Sequence, residues 1–181
     1  AGYAGIKSVV ALQKKLRGEE VAITLVDRNP YHYETVRLYE VASGEHHYTK
    51  MSYPIADVLN PEMTTFIQDE VKKVNIEDKT VELAKHASLN YDYLIIGLGF
   101  TLNTMGIDGA DDNALPMYNV ESAEKIRERI YANMADYKKT KNPDDLSIVV
   151  CGGGFQAVEL ANAMAMARGR FAKIAGVDPS E

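Results

Sequence analysis

Apolar and polar positions change period several times along this chain, and each change marks an element. Ile6-Lys-Ser-Val-Val-Ala-Leu-Gln-Lys-Lys-Leu places Ile6, Val9, Val10, Leu12 and Leu16 along one face of a helix, which Gly18 ends. Val21–Val26 then reads as a strand closed by Asp27. Residues 29–44, NPYHYETVRLYEVASG, hold no clean period, although Leu38–Ser43 fits a short helix ended by Gly44. Ser52–Leu59 fits another short helix, with Ser52 as cap and Pro54 in its first turn. Three short strands follow, Thr64–Gln68, Glu70–Ile76 and Thr80–Ala84, the last two joined by the polar turn Glu77-Asp78-Lys79. Tyr91–Gly97 is expected to be a buried strand. Glu121–Lys139 carries Ile126, Ile130, Met134 and Tyr137 at helical spacing, with Ser122 as a candidate cap. Leu146–Val150 reads as a second buried strand, and a helix from Phe155 to about Arg168 follows it. Gly169–Glu181 reads as surface loop.

The junction at Leu146–Glu159, LSIVVCGGGFQAVE, carries the chemistry. Strand, three glycines and helix give Gly152-x-Gly154-x-x-Ala157, a dinucleotide fingerprint with Ala in its last place. Gly152 allows the sharp turn, Gly154 lets a pyrophosphate approach the backbone, and Ala157 lets helix and strand pack closely. The helix N-terminus offers unpaired N–H groups and partial positive charge to phosphates. A second, partial copy opens the chain. Gly2 and Gly5 in Ala-Gly-Tyr-Ala-Gly stand as the second and third glycines of such a loop, whose first glycine and leading strand are not in the sequence. Asp27 lies about twenty residues beyond, where a βαβ nucleotide unit places the acid that accepts hydrogen bonds from an adenosine ribose. The plainer reading of Asp27 is a turn cap aided by Asn29 and Pro30; the glycines upstream favour the ribose.

Composition narrows the classes. The 181 residues are 46% apolar, enough for a sizeable core, and carry a net charge of −6, which argues against a nucleic-acid partner. No apolar run approaches the length of a membrane span. The one cysteine, Cys151, allows no internal disulfide and fits a reducing compartment. His32, His46 and His47 lack Cys or carboxylate partners at ligand spacing, so no metal is expected. The abrupt opening and the half-built second nucleotide unit read as a fragment of a longer protein.

Taken in order, AGYAG, VDRNPYHYETVRLYEVASGE, VNIEDKTVEL, YDYLIIGLG and CGGGFQAVELA resemble the type II NADH dehydrogenases. These belong to the flavoproteins with two dinucleotide-binding domains. The resemblance implies an α/β fold: a Rossmann-like FAD-binding domain with a small β-meander over residues 1–115, then the start of a Rossmann-like NADH-binding domain over 116–181. It implies that Gly2, Tyr3 and Gly5 meet the FAD pyrophosphate, that Asp27 meets the ribose with Arg28 beside the adenine end, and that Val71 meets adenine through its backbone. Thr35 would pass near the flavin, and Leu98 and Gly99 would return against FAD. Gly152, Gly154, Phe155 and Gln156 would hold the NADH pyrophosphate, and Glu159 would be the catalytic acid near the nicotinamide and quinone.

The activity implied is hydride transfer from NADH to FAD and transfer of two electrons to a quinone, with the chemistry carried by the cofactor. A redox-active cysteine pair, as in related disulfide reductases, is not in the chain. Gln156 and Ala157 stand where relatives often carry Thr and Gly, and the second domain's own ribose acid lies outside this sequence. The implied setting is a peripheral protein on the cytoplasmic side, reaching the membrane surface through a C-terminal part absent here; the fragment itself is expected to be soluble, and a homodimer is left open. The alternatives are an NADH-dependent reductase of a soluble electron carrier and a non-catalytic nucleotide-binding fragment. Quinone identity and NADPH use are not encoded in these residues.

Overall fold

The computed structural model describes residues 1–180. The chain divides into two compact units that interleave in sequence. The first takes Ala1–Tyr33 with Ser52–Gly99, and the second takes Glu34–Met51 with the residues from Phe100 on.

In the first unit, α1 (Tyr3–Lys15) leads into β1 (Ile23–Asp27). β1 pairs in parallel with β4 (Thr64–Gln68), so that Leu25 sits beside Phe66 and Asp27 beside Gln68. The apolar face of α1 buries Ile6 and Val9 against Leu25 and the fully enclosed Ile55. Burial of side chains of this size is worth about 1.5–3 kcal/mol each, so α1 is held on β1 by a packed contact at Leu25. Between β1 and β4, β2 (Tyr31–Tyr33) pairs antiparallel with β3 (Ser52–Pro54). A meander of β5 (Val71–Asn75), β6 (Thr80–Leu83) and β7 (Leu89–Asn90) completes the unit.

The second unit is helical. Residues Thr35–Arg37 form a 3-10 turn that runs into α2 (Leu38–Ala42). After the short α3 (Ala110–Asn113) come α4 (Val120–Thr140), α5 (Phe155–Met166) and α6 (Arg168–Ala175). α2 packs on both α4 and α5, and α4 packs on α6. Leu38 and Val41 are fully enclosed there, and Ile126, Ile130 and Met134 of α4 and Phe171 of α6 are buried.

Several expectations need correction. Tyr91–Gly97 is not a buried strand: it is irregular, with Tyr93 95% and Ile96 63% exposed. Leu146–Val150 likewise becomes the end of a 3-10 turn, Pro143–Leu146, followed by irregular chain with Val149 84% exposed. A strand exists only as a member of a ladder, and neither run has a neighbouring strand among the described residues. Ser52–Leu59 is not one helix, because Ser52–Pro54 joins β2 and only Ile55–Val58 turns, as 3-10. The run after Arg168 is not loop: α6 forms and buries Phe171, Ala172 and Ala175. Glu181 lies outside the described residues. Ser122 is not the cap of α4; Asn119 is, and Ser122 closes the reciprocal capping box with it. α1 stops at Lys15, short of Gly18, with Leu16 as its C-cap.

Candidate functional site

In the first unit, the residues singled out around the opening glycines converge. Gly2 is the N-cap of α1 and offers no side-chain acceptor to the helix end, and no acidic residue stands in the first turn. The first hydrogen bond of the helix is Ile6 N–H to the Gly2 carbonyl at 3.0 Å. The N–H groups of Tyr3, Ala4 and Gly5 therefore have no intrahelical acceptor, which is the donor array an anion needs. A side chain at Gly5 would lie 3.8 Å from Leu25 Cδ1, in ordinary contact, and one at Gly2 would come no nearer than 3.9 Å to the Gly97 carbonyl. Protein packing alone does not demand glycine at either place.

Asp27 ends β1 beside this loop. Its Oδ1 accepts the Asn29 N–H at 2.8 Å, and its Oδ2 accepts the Ala1 amino group. The acid thus caps its own turn, the plainer of the two readings, and its other oxygen faces Ala1 beside Gly2. Behind it, His32 is buried, with Nδ1 donating to the Ala1 carbonyl at 2.8 Å and its ring edge-on to Tyr3 at 5.2 Å. Gly97 lies closest to the loop on the other side: a side chain there would stand 3.2 Å from the Gly5 nitrogen. Leu98 (69% exposed) and Gly99 (φ 79°) continue from it into solvent.

Beyond Asp27, Arg28 opens a polar cleft of about 390 Å³ with Gln68, Asp69, Glu70 and Lys85. Val71 begins β5 one residue past this lining. Asp69, which the sequence reading passed over, organises the cleft floor. Its carboxylate accepts the N–H groups of Glu70 (2.7 Å), Lys85 (2.9 Å) and His86 (2.9 Å), and the His86 imidazole at 2.7 Å. Burial alone would raise its pKa; the hydrogen bonds from His86 and the three backbone donors outweigh that and hold it below the usual carboxylate range.

In the second unit, Gly152 turns at φ +117°, a conformation that favours glycine, and its added Cβ would sit 3.9 Å from that of Ala157. Gly154 is the N-cap of α5, again without side-chain capping or an acid in the first turn. A Cβ on Gly154 would meet nothing within 4 Å. Phe155 is 92% exposed, Gln156 is half-buried, and Glu159 stands exposed on the second turn of α5. Thr35 is also in this unit, at the start of the 3-10 turn before α2.

On α2, Glu40 is buried and gathers a network that sequence reading missed. Arg37 donates to both its oxygens, Nε at 2.7 Å and Nη2 at 2.8 Å, and His46 Nδ1 lies 2.9 Å from Oε2. The Arg37 bonds, opposed by burial and helped by His46, lower the Glu40 pKa.

The family profile described as pyridine nucleotide-disulphide oxidoreductase matches residues 1–175. The chain belongs to this family. Its glycine loops and the acid after β1 are therefore read in a family setting as well as on their own geometry. The type II NADH:quinone oxidoreductase of Staphylococcus haemolyticus is 40% identical over 161 residues, which are 88% of this chain and 40% of that protein. Among solved structures, NDH2 from Plasmodium falciparum in complex with RYL-552 superposes with a TM-score of 0.79 at 23% identity, over 96% of this chain and 37% of that one. NADH:rubredoxin oxidoreductase from Clostridium acetobutylicum gives 0.66 at 22%, over 98% and 41%. At these identities both structures speak for the fold. The chain spans about 40% of the length of the curated relative it matches. No described helix is long and apolar enough to cross a membrane.

Proposed function

We propose that this chain forms the flavin-binding part and the opening of the NADH-binding part of a type II NADH:quinone oxidoreductase. The observation that carries the proposal is the pair of uncapped, acid-free helix N-termini, each entered through glycines, with Asp27 beside the first. The similarity to the staphylococcal enzyme supports the same reading.

The residues fit the two dinucleotides. At α1, the open space beside Gly2 lies next to three open N–H groups, which suits the FAD pyrophosphate. We assign Asp27 to the ribose hydroxyls, and the cleft of about 390 Å³ at Arg28, next to the Val71 backbone, to adenine. Leu98 and Gly99 are the return of the chain against FAD, and Thr35 is proposed to approach its flavin end. At α5, the open surroundings of Gly154 leave its N–H face to the NADH pyrophosphate, with Phe155 and Gln156 beside it. Bound FAD supplies two-electron chemistry between NADH and the quinone. The chain's part is to bind, to orient and to exclude water, and Glu159 is assigned the acid role near the reacting rings. The domain division remains the one proposed from sequence, at residues 115 and 116. The whole protein is proposed to meet its quinone at a membrane surface on the cytoplasmic side, and a homodimer is compatible with this scheme.

The test uses the full-length protein. Purified wild type is expected to be yellow, to bleach on anaerobic addition of NADH and to turn over a quinone. Gly154→Val is expected to keep its flavin and lose the bleaching. Normal bleaching in that variant would overturn the assignment of the second loop. Turnover with a rubredoxin-type carrier but none with quinone would favour a carrier reductase.

A further inference from the structure

Asp69 is buried, and the proposed chemistry gives it no role. It stands between β4 and β5, where three stretches of the first unit meet. Its N–H donates to the carbonyl of Asp27, at the end of β1, at 2.9 Å. Its Oδ1 accepts the N–H of Glu70, one residue before Val71. Its Oδ2 accepts the N–H groups of Lys85 and His86 and the His86 imidazole. A 2.9 Å bond from the Ala84 N–H to the Glu70 carbonyl joins the last two stretches again, and Gln68 reaches the Arg28 carbonyl at 3.1 Å. Every residue lining the cleft beyond Asp27 is therefore either bonded to Asp69 or adjacent to a residue that is. The Asp69 side chain itself is only 1% exposed, so it acts on a ligand through these neighbours and does not touch it.

We propose that Asp69 is a positioning residue for the adenosine half of FAD, its buried carboxylate holding the Lys85–His86 chain and the start of β5 at a fixed spacing from Asp27. This rests on the assignment of the cleft to adenine and of Asp27 to the ribose, and goes beyond it by naming what sets the two subsites relative to each other. Adenine and ribose are joined by a single bond, so the groups that receive them must keep one separation. Charge-assisted hydrogen bonds to one buried acceptor fix that separation before the ligand arrives, and binding then carries less of the ordering cost. Asparagine cannot reproduce the arrangement. It has one acceptor oxygen, and its NH2 group meets either the Glu70 N–H or the donors of Lys85 and His86. One side of the cleft must then shift.

A double-mutant cycle on FAD affinity tests this, with FAD titrated into the apoprotein of the full-length enzyme and followed by flavin fluorescence. The second position is Ala84, which is exposed on the cleft, so that Ala84→Trp fills the space assigned to adenine. Ala84→Trp is expected to weaken FAD binding. Asp69→Asn is expected to weaken it about tenfold in the wild-type background, the equivalent of one well-placed hydrogen bond. In the Ala84→Trp background, where adenine is already displaced, Asp69→Asn is expected to have no further effect. Equal losses in both backgrounds would mark a purely structural residue and overturn the positioning role, as would wild-type affinity in Asp69→Asn alone. Wild-type affinity in Ala84→Trp would overturn the adenine assignment and the proposal with it. Circular dichroism checks that each variant is folded. Should Asp69→Asn fail to fold, His86→Ala takes its place in the cycle with the same outcomes, a smaller, several-fold loss being expected because the backbone donors to Asp69 remain.

Discussion

Gly97 is the tightest backbone contact on the proposed flavin loop, and replacing it separates affinity from stability. A Cβ at Gly97 would lie 3.2 Å from the Gly5 nitrogen, 3.5 Å from Ala4 Cβ and 3.7 Å from Gly5 Cα. Ordinary contact is reached only if the first turn of α1 retreats by a few tenths of an ångström. That turn is not free to retreat, because Ile6 and Val9 of the same helix are packed against Leu25 and Ile55. Overpacking of this kind costs about 1–3 kcal/mol. Against it, replacing glycine by alanine at a position outside the left-handed region stabilises by about 0.4–1 kcal/mol through the unfolded chain. Gly97→Ala should therefore lose about 0–2.6 kcal/mol of stability, and Gly97→Val more. Flavin binding has no such compensation. A displaced or covered N–H at Gly5 forfeits a hydrogen bond to a charged phosphate, worth about 1.5–3 kcal/mol, or roughly 10–150-fold in Kd. The assay is FAD titration of the apoprotein of the full-length enzyme, followed by flavin fluorescence, beside urea unfolding of the same samples. Wild-type FAD affinity in both Gly97→Ala and Gly97→Val would refute the reasoning.

Asp69 has a depressed pKa in the folded state, so its contribution to stability is complete above its unfolded value near 3.8 and is lost as pH falls through the folded value. Urea midpoints should fall on acidification below about pH 4, and Asp69→Asn should lower the neutral-pH midpoint and flatten that fall. Gly44 turns at φ +75°, and a Cβ there would press on the Tyr131 ring, 3.0 Å from its Cζ. Left-handed strain of about 1–2 kcal/mol and overpacking of about 1–3 kcal/mol add, so Gly44→Ala should lose about 2–5 kcal/mol in urea unfolding. Glu40→Gln removes the negative charge and one of the two oxygens that Arg37 and His46 use, and should cost about 1–3 kcal/mol by the same measurement.

What could be read in the sequence was local. α1, α4 and the start of α5 are legible because their apolar residues recur at helical spacing; Ile6 and Val9 of α1 and Ile126, Ile130 and Met134 of α4 are buried, whereas Leu16, Phe155 and Val158 are exposed. β4, β5 and β6 are legible because polar turns bracket short apolar runs. The two uncapped helix starts behind glycine are legible because the absence of a capping side chain and of a first-turn acid are properties of a few adjacent residues. Tyr91–Gly97 and Leu146–Val150 have strand composition, but composition does not supply the neighbour that a strand must pair with. The β2–β3 pair joins three-residue segments about twenty positions apart, too short for a period to show. α6 was hidden by Gly169 and two arginines, although Phe171, Ala172 and Ala175 carry the spacing of a buried face. Arg37 and Glu40 stand three apart at a helix start, a spacing that signals an ion pair; His46 and the Asp69–His86 contact are brought in by loop paths that no short pattern encodes.

The opening glycines are proposed to be small for the sake of a ligand. Gly2 decides it, since a Cβ there would touch nothing in the protein nearer than 3.9 Å. Gly2→Ala of the full-length enzyme should keep the circular dichroism of wild type and be purified without its yellow colour. A Gly2→Ala protein that carries one flavin per chain and bleaches with NADH as wild type does would contradict it.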